Sequence, residues 1–375
     1  MSVLPGEGVI SFARGVPSPD MFPLEQLAES ARRAVHTHGR VALNYGLPAG
    51  FEPLRAWLGE RHGVAPERVI VTPGSMIGLN FLVDQLVGPG GCAAVESPTY
   101  DRMLHALTTI GARAVTVDRG ADGLDLDGLR RAVTQGPRPS LLYVLPTFHN
   151  PTGRTLTLEQ RHGLVELALE LELPVLEDDP YGLLRVEGEP LPYVHELLRA
   201  AGGDHLALFA SSFSKSVAPG LRVGYLVLPE PLVAPIEALA LRTYVSPPLL
   251  PQAQLYDFLA GGGFEPHHDL LRGFLRERRD MLLGVLAEDM PDGVTWTRPD
   301  GGYFLWLELP AGVAARELNE RAQAAGVAIV PGAGFFTAGR GQSSARLAFS
   351  FPSVADVREG AHRLSALVRA TVEHL

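Results

Sequence analysis

Residues 211–225 read SSFSKSVAPGLRVGY, and this stretch connects two apolar runs, LALFA (206–210) and VGYLVL (223–228). Uninterrupted apolar runs of this length predict strands that are buried on both faces. Between the two runs stand one lysine, Lys215, and one arginine, Arg222. Most lysines are solvated, so a lysine held between two buried strands indicates a special role.

The residues around this lysine predict a reactive amine beside an anion site. Burial and a neighbouring cation lower the pKa of an amine, which makes Lys215 a candidate Schiff-base nucleophile. The hydroxyls of Ser212 and Ser214 and the guanidinium of Arg222 are suitable phosphate ligands. Pyridoxal 5'-phosphate carries an aldehyde and a phosphate on one ring, so we expect that cofactor. The alternative is a surface loop with an incidental lysine.

The bulk composition limits the classes of function. The chain has 375 residues, 46% of them hydrophobic, enough for two or three domains with substantial cores. A formal net charge of -10 argues against non-specific binding of nucleic acid or anionic membranes. We see neither a signal peptide nor an apolar run near the roughly 20 residues that a membrane span needs. The single cysteine, Cys92, excludes an internal disulfide framework and favours a reducing, cytoplasmic compartment.

Short apolar runs alternate with helical segments through the middle of the chain, which predicts a three-layer α/β/α domain. The ligand of such a sheet binds beyond the carboxyl ends of its strands. We expect an N-terminal arm and helix (1–43) that packs with a small C-terminal α+β domain (266–375), and a large domain between them (44–265). The predicted strands of a mostly parallel seven-stranded sheet are 68–72, 92–96, 112–117, 140–145, 174–178, 206–210 and 223–228.

Two predicted strands are followed by groups suited to a phosphate and a ring. Ser75 opens a helix after the first strand, where free N–H groups bind phosphate, although a simple helix cap is the alternative. Tyr100 follows the second strand and offers a face for stacking on a pyridine ring, or plain packing. Ser97–Pro98 is a candidate cis bond.

Two further strand ends carry an amide and a carboxylate. The amide of Asn150 could donate to an anionic ring oxygen or belong to a turn, and Asn150–Pro151 is a second cis candidate. Asp178 ends an apolar strand, where an unpaired carboxylate is costly. A protonated pyridine nitrogen would pair with it, and Tyr181 would face the same site. The alternative for Asp178 is a turn cap.

The motifs HNPTG (149–153), EDDPYG (177–182) and SKSVAPGLRVGY (214–225) resemble those of the fold-type I pyridoxal-phosphate aminotransferases of class I/II. The chain looks most similar to the 2-aminoadipate/kynurenine aminotransferase branch, which shares its catalytic domain with MocR-type regulators. The resemblance implies an aminotransferase that moves an amino group between an L-amino acid and a 2-oxo acid by ping-pong chemistry.

The resemblance also implies roles for individual residues. Lys215 forms the Schiff base and shuttles the proton, Asp178 pairs with the pyridine nitrogen, and Tyr100 stacks on the ring. Asn150 and Tyr181 bind the ring hydroxyl. The implied phosphate ligands are Ser75, the N–H of Met76, Ser212, Ser214 and Arg222.

On the substrate side, the resemblance implies that Arg346 grips the α-carboxylate, near Asn150, and that Gly15 lies beside the substrate. Tyr45 would reach the phosphate of the neighbouring subunit, which implies a homodimer. Two positions depart from the family pattern: Met76 replaces the usual Gln, and Arg14 replaces a common Gly. Arg14 either binds an acidic substrate side chain or points to solvent, and we favour solvent.

Other functions stay open at this point. The same cofactor supports β-elimination, decarboxylation or cyclisation in specialised biosynthesis. A DNA-binding regulator is disfavoured because only about 20 irregular residues precede the first predicted helix. The close histidine pairs 36/38 and 267/268 have no ligand partners at metal-binding spacing, so we expect no metal.

Overall fold

The computed structural model describes residues 8–373. Its α-helices are α1 (Leu24–Ala42), α2 (Glu52–His62), α3 (Ser75–Leu82), α4 (Asp101–Thr109), α5 (Leu126–Thr134), α6 (Leu158–Glu170), α7 (Val194–Ala200), α8 (Glu230–Tyr244), α9 (Leu249–Ala260), α10 (Phe264–Asp289), α11 (Ala315–Ala324) and α12 (Val354–Val372). Its strands are β1 (Ile10–Ser11), β2 (Val69–Thr72), β3 (Cys92–Ser97), β4 (Arg113–Gly120), β5 (Gly123–Leu124), β6 (Leu142–Val144), β7 (Val175–Asp178), β8 (Ala207–Ser212), β9 (Gly224–Val227), β10 (Thr295–Trp296), β11 (Phe304–Glu308), β12 (Val327–Ala328), β13 (Val330–Pro331) and β14 (Ser344–Ala348).

The large sheet confirms the predicted α/β architecture, with one correction. Its strand order is β2-β9-β8-β7-β6-β3-β4-β5, and the pairs among β4, β3, β6, β7 and β8 are parallel. Strand β9 runs antiparallel to both β8 and β2. The sheet has eight strands instead of the predicted seven, because the two-residue β5 turns back on the edge strand β4.

Helices cover both faces of this sheet, which is why most of its strands are apolar throughout. Tyr143, Leu176 and Leu208 face a core that also contains residues of α3, α4 and α8. On the other face, strand residues pack with α2 and α9 at one end of the sheet and with α5, α6 and α7 at the other. The central strands are buried at every position, whereas β4 is partly exposed at the edge.

The C-terminal part has a sheet of its own, in the order β10-β11-β14-β13 with all pairs antiparallel. Its core includes Phe304 and Leu347 from the strands and Leu282 and Leu364 from α10 and α12. This arrangement is the smaller α+β unit that the sequence predicts.

The N-terminal segment divides between the two parts of the molecule. Strand β1 pairs in parallel with β12, as the expected packing with the C-terminal part requires. Helix α1 instead packs along α9, because Leu27, Ala34 and Ala42 join an apolar cluster with Phe258. The helix thus differs from the expectation for residues 1–43, of which residues 1–7 lie outside the described part.

Helices α7, α8 and α9 were not predicted. Prolines at positions 231, 235, 247, 248 and 251 obscure the helical pattern of α8 and α9, and Pro235 lies inside α8. Within residues 8–373, no helix combines the length and the apolar character that crossing a bilayer requires.

Candidate active site

The candidate site lies at the carboxyl edge of the large sheet. The polar loops that meet there follow five strands that run in the same direction: β2, β3, β6, β7 and β8. Strand β9 brings a sixth loop to this edge from the opposite direction. Its first residue, Gly224, pairs with the last residues of β8 and β2, Ser212 and Thr72. Arg222 therefore reaches the same edge although it precedes a strand.

Lys215 lies just beyond the end of β8. Its Nζ donates a hydrogen bond to the carbonyl oxygen of Gly15 at 2.6 Å, and the Tyr303 hydroxyl donates to the Lys215 carbonyl oxygen at 2.6 Å. Burial, with the positive charges of Arg346 and Arg222, lowers the pKa of the Lys215 amine to about 8. Lys215 is also the only lysine among the 375 residues. The chain thus offers one side-chain amine, and it lies buried at this edge of the sheet.

Asp178, the last residue of β7, is buried and incompletely paired. The Tyr143 hydroxyl donates to Oδ2 at 2.7 Å, while Oδ1 has no hydrogen-bond partner in the described residues. Burial raises the pKa of this carboxyl to about 7, the Tyr143 hydrogen bond opposes the rise, and the charge of Asp179 adds to it. A buried oxygen without a donor is costly, so this atom fits the N–H of a protonated pyridine ring.

An anion site is formed around the start of α3. Gly74 precedes the helix with a φ of 85°, a conformation that favours glycine, and Ser75 opens it with free N–H groups. Gly224 passes so close that an added Cβ would collide with the Ser75 nitrogen. Arg222 borders the same turn, since its Nη2 donates to the Pro73 carbonyl oxygen at 3.3 Å. Backbone N–H groups and a guanidinium together suit a phosphate.

The serines at the end of β8 complete this polar cradle. Ser212 Oγ donates to Ser214 Oγ at 2.8 Å, and the Ser214 N–H donates back to Ser212 Oγ at 3.1 Å. Ser212 of β8 and Thr72 of β2 both pair with Gly224 of β9, so the two serines lie across β9 from the Ser75 turn. Met76 follows Ser75 in the first turn of α3 and presents its backbone N–H there.

Arg346, on β14, is a buried cation without a carboxylate partner in the described residues. Its Nη1 donates to Asn150 Oδ1 at 2.9 Å and its Nη2 to the Ala13 carbonyl oxygen at 3.2 Å, while Nε has no partner. The guanidinium lies 4.3 Å from the ring centroid of Phe304 and 5.0 Å from that of Phe335. Burial lowers its pKa. A guanidinium in this state fits a bidentate carboxylate ligand.

The N-terminal segment joins the two cations. The carbonyl of Ala13 accepts from Arg346, and the carbonyl of Gly15 accepts from Lys215. The side chain of the residue between them, Arg14, lies over the ring of Phe351 at 4.2 Å. This contact favours the interpretation of Arg14 as a peripheral residue.

Two aromatic residues line the same edge. Tyr100 immediately precedes α4, and burial together with the charge of Asp178 raises its pKa to about 12. Tyr181 is buried, with its ring centroid 5.5 Å from those of Tyr303 and Phe304. The structure does not bring Tyr45 to this site, because that side chain is 84% exposed. Both peptide bonds predicted as candidates, at Pro98 and Pro151, are cis.

Two sets of residues at this edge were not predicted from the sequence. Tyr143, on β6, pairs with Leu176, so its side chain faces the same side of the sheet as Asp178 two residues further on. Knowledge of the strand register would have identified it. The second set is a buried ion cluster of Glu96, Arg119 and His149 beneath the Asn150 loop, and the signal was a Glu inside the apolar run CAAVES.

Comparisons with known proteins identify the family of this chain. Residues 7–364 match the family model described as aminotransferase class I and II. The chain is 37% identical to the 2-aminoadipate transaminase of Thermus thermophilus over 96% of this chain and 90% of that protein.

Two solved structures have the same fold over nearly the whole chain. The α-aminoadipate aminotransferase of Thermus thermophilus, solved with N-(5'-phosphopyridoxyl)-L-leucine, has a TM-score of 0.93 at 36% identity, covering 98% of this chain and 94% of that chain. The kynurenine aminotransferase of Pyrococcus horikoshii has a TM-score of 0.92 at 32% identity, covering 98% and 92%. The chain belongs to the class I and II aminotransferases, and it is a pyridoxal-phosphate-dependent transaminase.

Proposed function

We propose that the edge described above is the catalytic centre of this transaminase, with Lys215, Asp178 and Tyr181 as its catalytic residues. The observation that carries the assignment is the buried Asp178 Oδ1, which has no partner among residues 8–373 and lies at the same sheet edge as the only lysine of the sequence. When bound, pyridoxal phosphate supplies an aldehyde for amine exchange and a protonated ring that withdraws electrons from the substrate Cα. The residues below hold it.

The cradle at the start of α3 binds the phosphate, and the neighbouring loops bind the ring. The phosphate ligands are the Ser75 hydroxyl, the backbone N–H of Met76, Ser212, Ser214 and Arg222. Asp178 accepts from the pyridine nitrogen, and Tyr100 stacks on the ring. Asn150 and Tyr181 bind the ring hydroxyl, and the burial of both supports a precise orientation.

Lys215 holds the cofactor covalently in the resting enzyme and moves protons during turnover. A pKa of about 8 leaves about a tenth of the amine neutral at pH 7, far more than an ordinary lysine, and a base must be neutral. When freed by an incoming amino acid, this amine would serve as the base that takes the proton from the substrate Cα, and it would then be the proton donor for the second transfer. In the cofactor-free chain this amine donates a hydrogen bond to the Gly15 carbonyl oxygen.

Arg346 binds the α-carboxylate of the amino acid, and then that of the incoming 2-oxo acid, which gives ping-pong kinetics. Its Nε donates to none of the described residues, and the hydrogen bonds from Nη1 and Nη2 hold the guanidinium in a fixed orientation. The group is therefore positioned to bind an anion. A Cβ added at Gly15 would collide with the Phe304 ring and lie 3.9 Å from Arg346 Nη2, and this closeness to Arg346 supports a position of Gly15 beside the substrate. Asn150 contacts both Arg346 and the ligand.

The names of the relatives make 2-aminoadipate and kynurenine the first donors to test. A biosynthetic role in the cytoplasm fits this donor class. We further propose that residues 44–265 form the cofactor-binding domain and residues 266–375 the small domain, with the boundary near the start of α10. Residues 8–43 pack against both domains, through β1 on β12 and through α1 on α9.

We propose a homodimer whose subunits share their active sites through Tyr45. The Tyr45 side chain is 84% exposed and lies between Leu43 and Leu47, which are 68% and 57% exposed. The exposed Val245 loop adjoins it, since the Gly46 N–H donates to Ser246 Oγ at 3.0 Å. A second copy of the chain would cover this apolar surface and receive Tyr45 at its phosphate.

Subunit complementation tests the shared site. A mixture of Lys215→Ala and Tyr45→Ala homodimers, allowed to exchange subunits, forms heterodimers in which one site has both native residues. We expect the mixture to regain activity that neither variant has alone. Activity equal to the average of the two variants would contradict a shared site.

A half-reaction panel tests the transamination. Each donor is added to the holoenzyme without a 2-oxo acid, and pyridoxamine phosphate is measured. We expect one equivalent per subunit with a good donor. Release of ammonia or carbon dioxide without pyridoxamine phosphate would favour β-elimination or decarboxylation instead.

A further inference from the structure

Tyr143 is the only described residue that donates a hydrogen bond to the side chain of Asp178. Its hydroxyl lies 2.7 Å from Oδ2, and the side chain is fully buried. The neighbouring carboxylate, Asp179, is occupied differently, because its Oδ1 accepts the backbone N–H groups of Tyr181 and Gly182. Asp178 therefore depends on one phenol for its orientation.

The geometry of the sheet fixes this contact. Strands β6 and β7 are parallel neighbours, and Tyr143 pairs with Leu176. The side chain of Asp178 lies on the same face as that of Leu176, one repeat further along the strand. The phenol ring spans this offset and reaches one carboxylate oxygen, which leaves the other, Oδ1, free.

We propose that Tyr143 is a positioning residue that fixes the Asp178 carboxylate so that Oδ1 meets the pyridine nitrogen, and that keeps this carboxylate ionised. The inference rests on the proposed function, in which Asp178 pairs with the cofactor ring. A donor on Oδ2 favours the charged form of the acid and leaves one oxygen for the ring. The ring nitrogen then stays protonated.

The electrostatics of the two side chains agree with this role. Burial raises the pKa of Asp178, and the Tyr143 hydrogen bond acts against that rise. Burial and the charge of Asp178 hold the pKa of Tyr143 well above its ordinary value, so the phenol keeps its proton and remains a donor. The other titratable groups whose charges interact with Asp178 are Asp179, Tyr100 and Tyr181.

A second buried tyrosine provides a matched control. Tyr225, on β9, lies on the other face of the sheet, and its hydroxyl is 3.0 Å from His62 Nε2. His62 Nδ1 lies 3.3 Å from His195 Nε2, and His195 Nδ1 lies 3.1 Å from Glu177. Tyr225→Phe thus removes a buried, hydrogen-bonded hydroxyl without touching Asp178.

The test compares two cofactor forms on each protein: pyridoxal phosphate, and its analogue in which C–H replaces the ring nitrogen. The dissociation constants of both are measured on the cofactor-free chain, and their ratio gives the preference for a ring nitrogen. We expect Tyr143→Phe to reduce this preference by about tenfold, as loss of a hydrogen bond to a charged group implies. Asp178→Asn removes the preference, and Tyr225→Phe leaves it at the wild-type value.

Each outcome bears on one assignment. The positioning role is overturned if Tyr143→Phe keeps the wild-type preference. It is also overturned if the dissociation constants of both cofactor forms rise by the same factor, because their ratio is then unchanged. A wild-type chain with no preference overturns the earlier assignment of Asp178 to the ring nitrogen. If Tyr143→Phe does not fold, 3-fluorotyrosine placed at position 143 supplies a stronger donor. The preference then rises, and an unchanged preference overturns the proposal.

Discussion

Glu96 and Asp178 are both buried carboxylates near the ends of strands in the same sheet, yet their surroundings differ. Glu96 contacts the Arg119 guanidinium, accepts the Leu145 N–H at 2.8 Å and lies 3.3 Å from His149 Nε2. Among the described residues, Asp178 has one hydrogen-bond donor, a phenol, and no cationic partner.

The pKa values of the two acids diverge accordingly. Burial alone would raise the pKa of Glu96, but the Arg119 charge and the other donors hold it at about 2. Burial raises that of Asp178 to about 7. The chain supplies a cation where the carboxylate is structural and omits it where, in our account, the cofactor ring supplies one.

The largest expected effect comes from removing the cation that Glu96 has. Arg119→Met leaves a buried, unpaired carboxylate, so we expect a loss of about 3–5 kcal/mol in the free energy of unfolding. Chemical denaturation of the cofactor-free chain measures it. The double variant Glu96→Gln/Arg119→Met serves as the control and should recover most of the loss. If the free energy of unfolding of Arg119→Met lay within about 1 kcal/mol of wild type, the contrast between Glu96 and Asp178 would be lost.

Neutralising Asp178 should change the free energy of unfolding in the opposite direction. Because its folded pKa of about 7 lies above the ordinary 3.8, the ionised form costs stability above pH 7, and the cost fades as the pH falls toward 4. Asp178→Asn should therefore stabilise the cofactor-free chain by about 2–4 kcal/mol at pH 8 and abolish transamination.

The pH series for this variant includes its own control. The stabilisation should shrink at pH 5 and vanish near pH 4, where both proteins carry a neutral group. Destabilisation at pH 8, of the kind expected for Glu96→Gln, would show that Asp178 is paired like Glu96.

These contrasts show what the sequence could predict. The seven main strands, the polar groups that follow them and the lysine between two apolar runs were readable because buried strands and loop residues have distinct patterns. The structure places Arg222 beside the Ser75 turn, and the cause, the reversed direction of strand β9, was not visible in the sequence. Tyr143 was missed because its role depends on the register between β6 and β7, which no local pattern specifies.

Other features depend on tertiary contacts in the same way. The docking of α1 on α9 joins residues more than 200 positions apart, and a single amphipathic helix does not indicate which apolar surface it will cover. The ion cluster of Glu96 likewise requires two neighbouring strands, since Arg119 lies two residues beyond the strand partner of Glu96, Val117.

A smaller effect concerns the cationic side of the site. Arg346 contributes to the lowered pKa of Lys215, so Arg346→Met should raise that pKa by on the order of half a unit. Since the chain has one lysine, labelling with 13C at the lysine ε-carbon gives one resonance to titrate by NMR. A midpoint near 8 is expected for the cofactor-free wild type. A midpoint near that of free lysine would contradict a buried amine.

The smallest effect is expected at Arg14. Its guanidinium lies over Phe351, and a partly exposed contact of this kind is worth about 0.5–1 kcal/mol. Arg14→Met should change stability by no more than that and leave the relative rates with acidic and neutral donors within about twofold. A selective loss of acidic donors would instead assign Arg14 to the substrate side chain.

Covalent trapping of the cofactor tests the central claim most directly. The holoenzyme is reduced with borohydride, digested and mapped by mass spectrometry, with Lys215→Arg as the control. We expect one phosphopyridoxyl group per chain on Lys215 in the wild type and none in the variant. Attachment only at the N-terminal amine, or equal labelling of both proteins, would contradict the account.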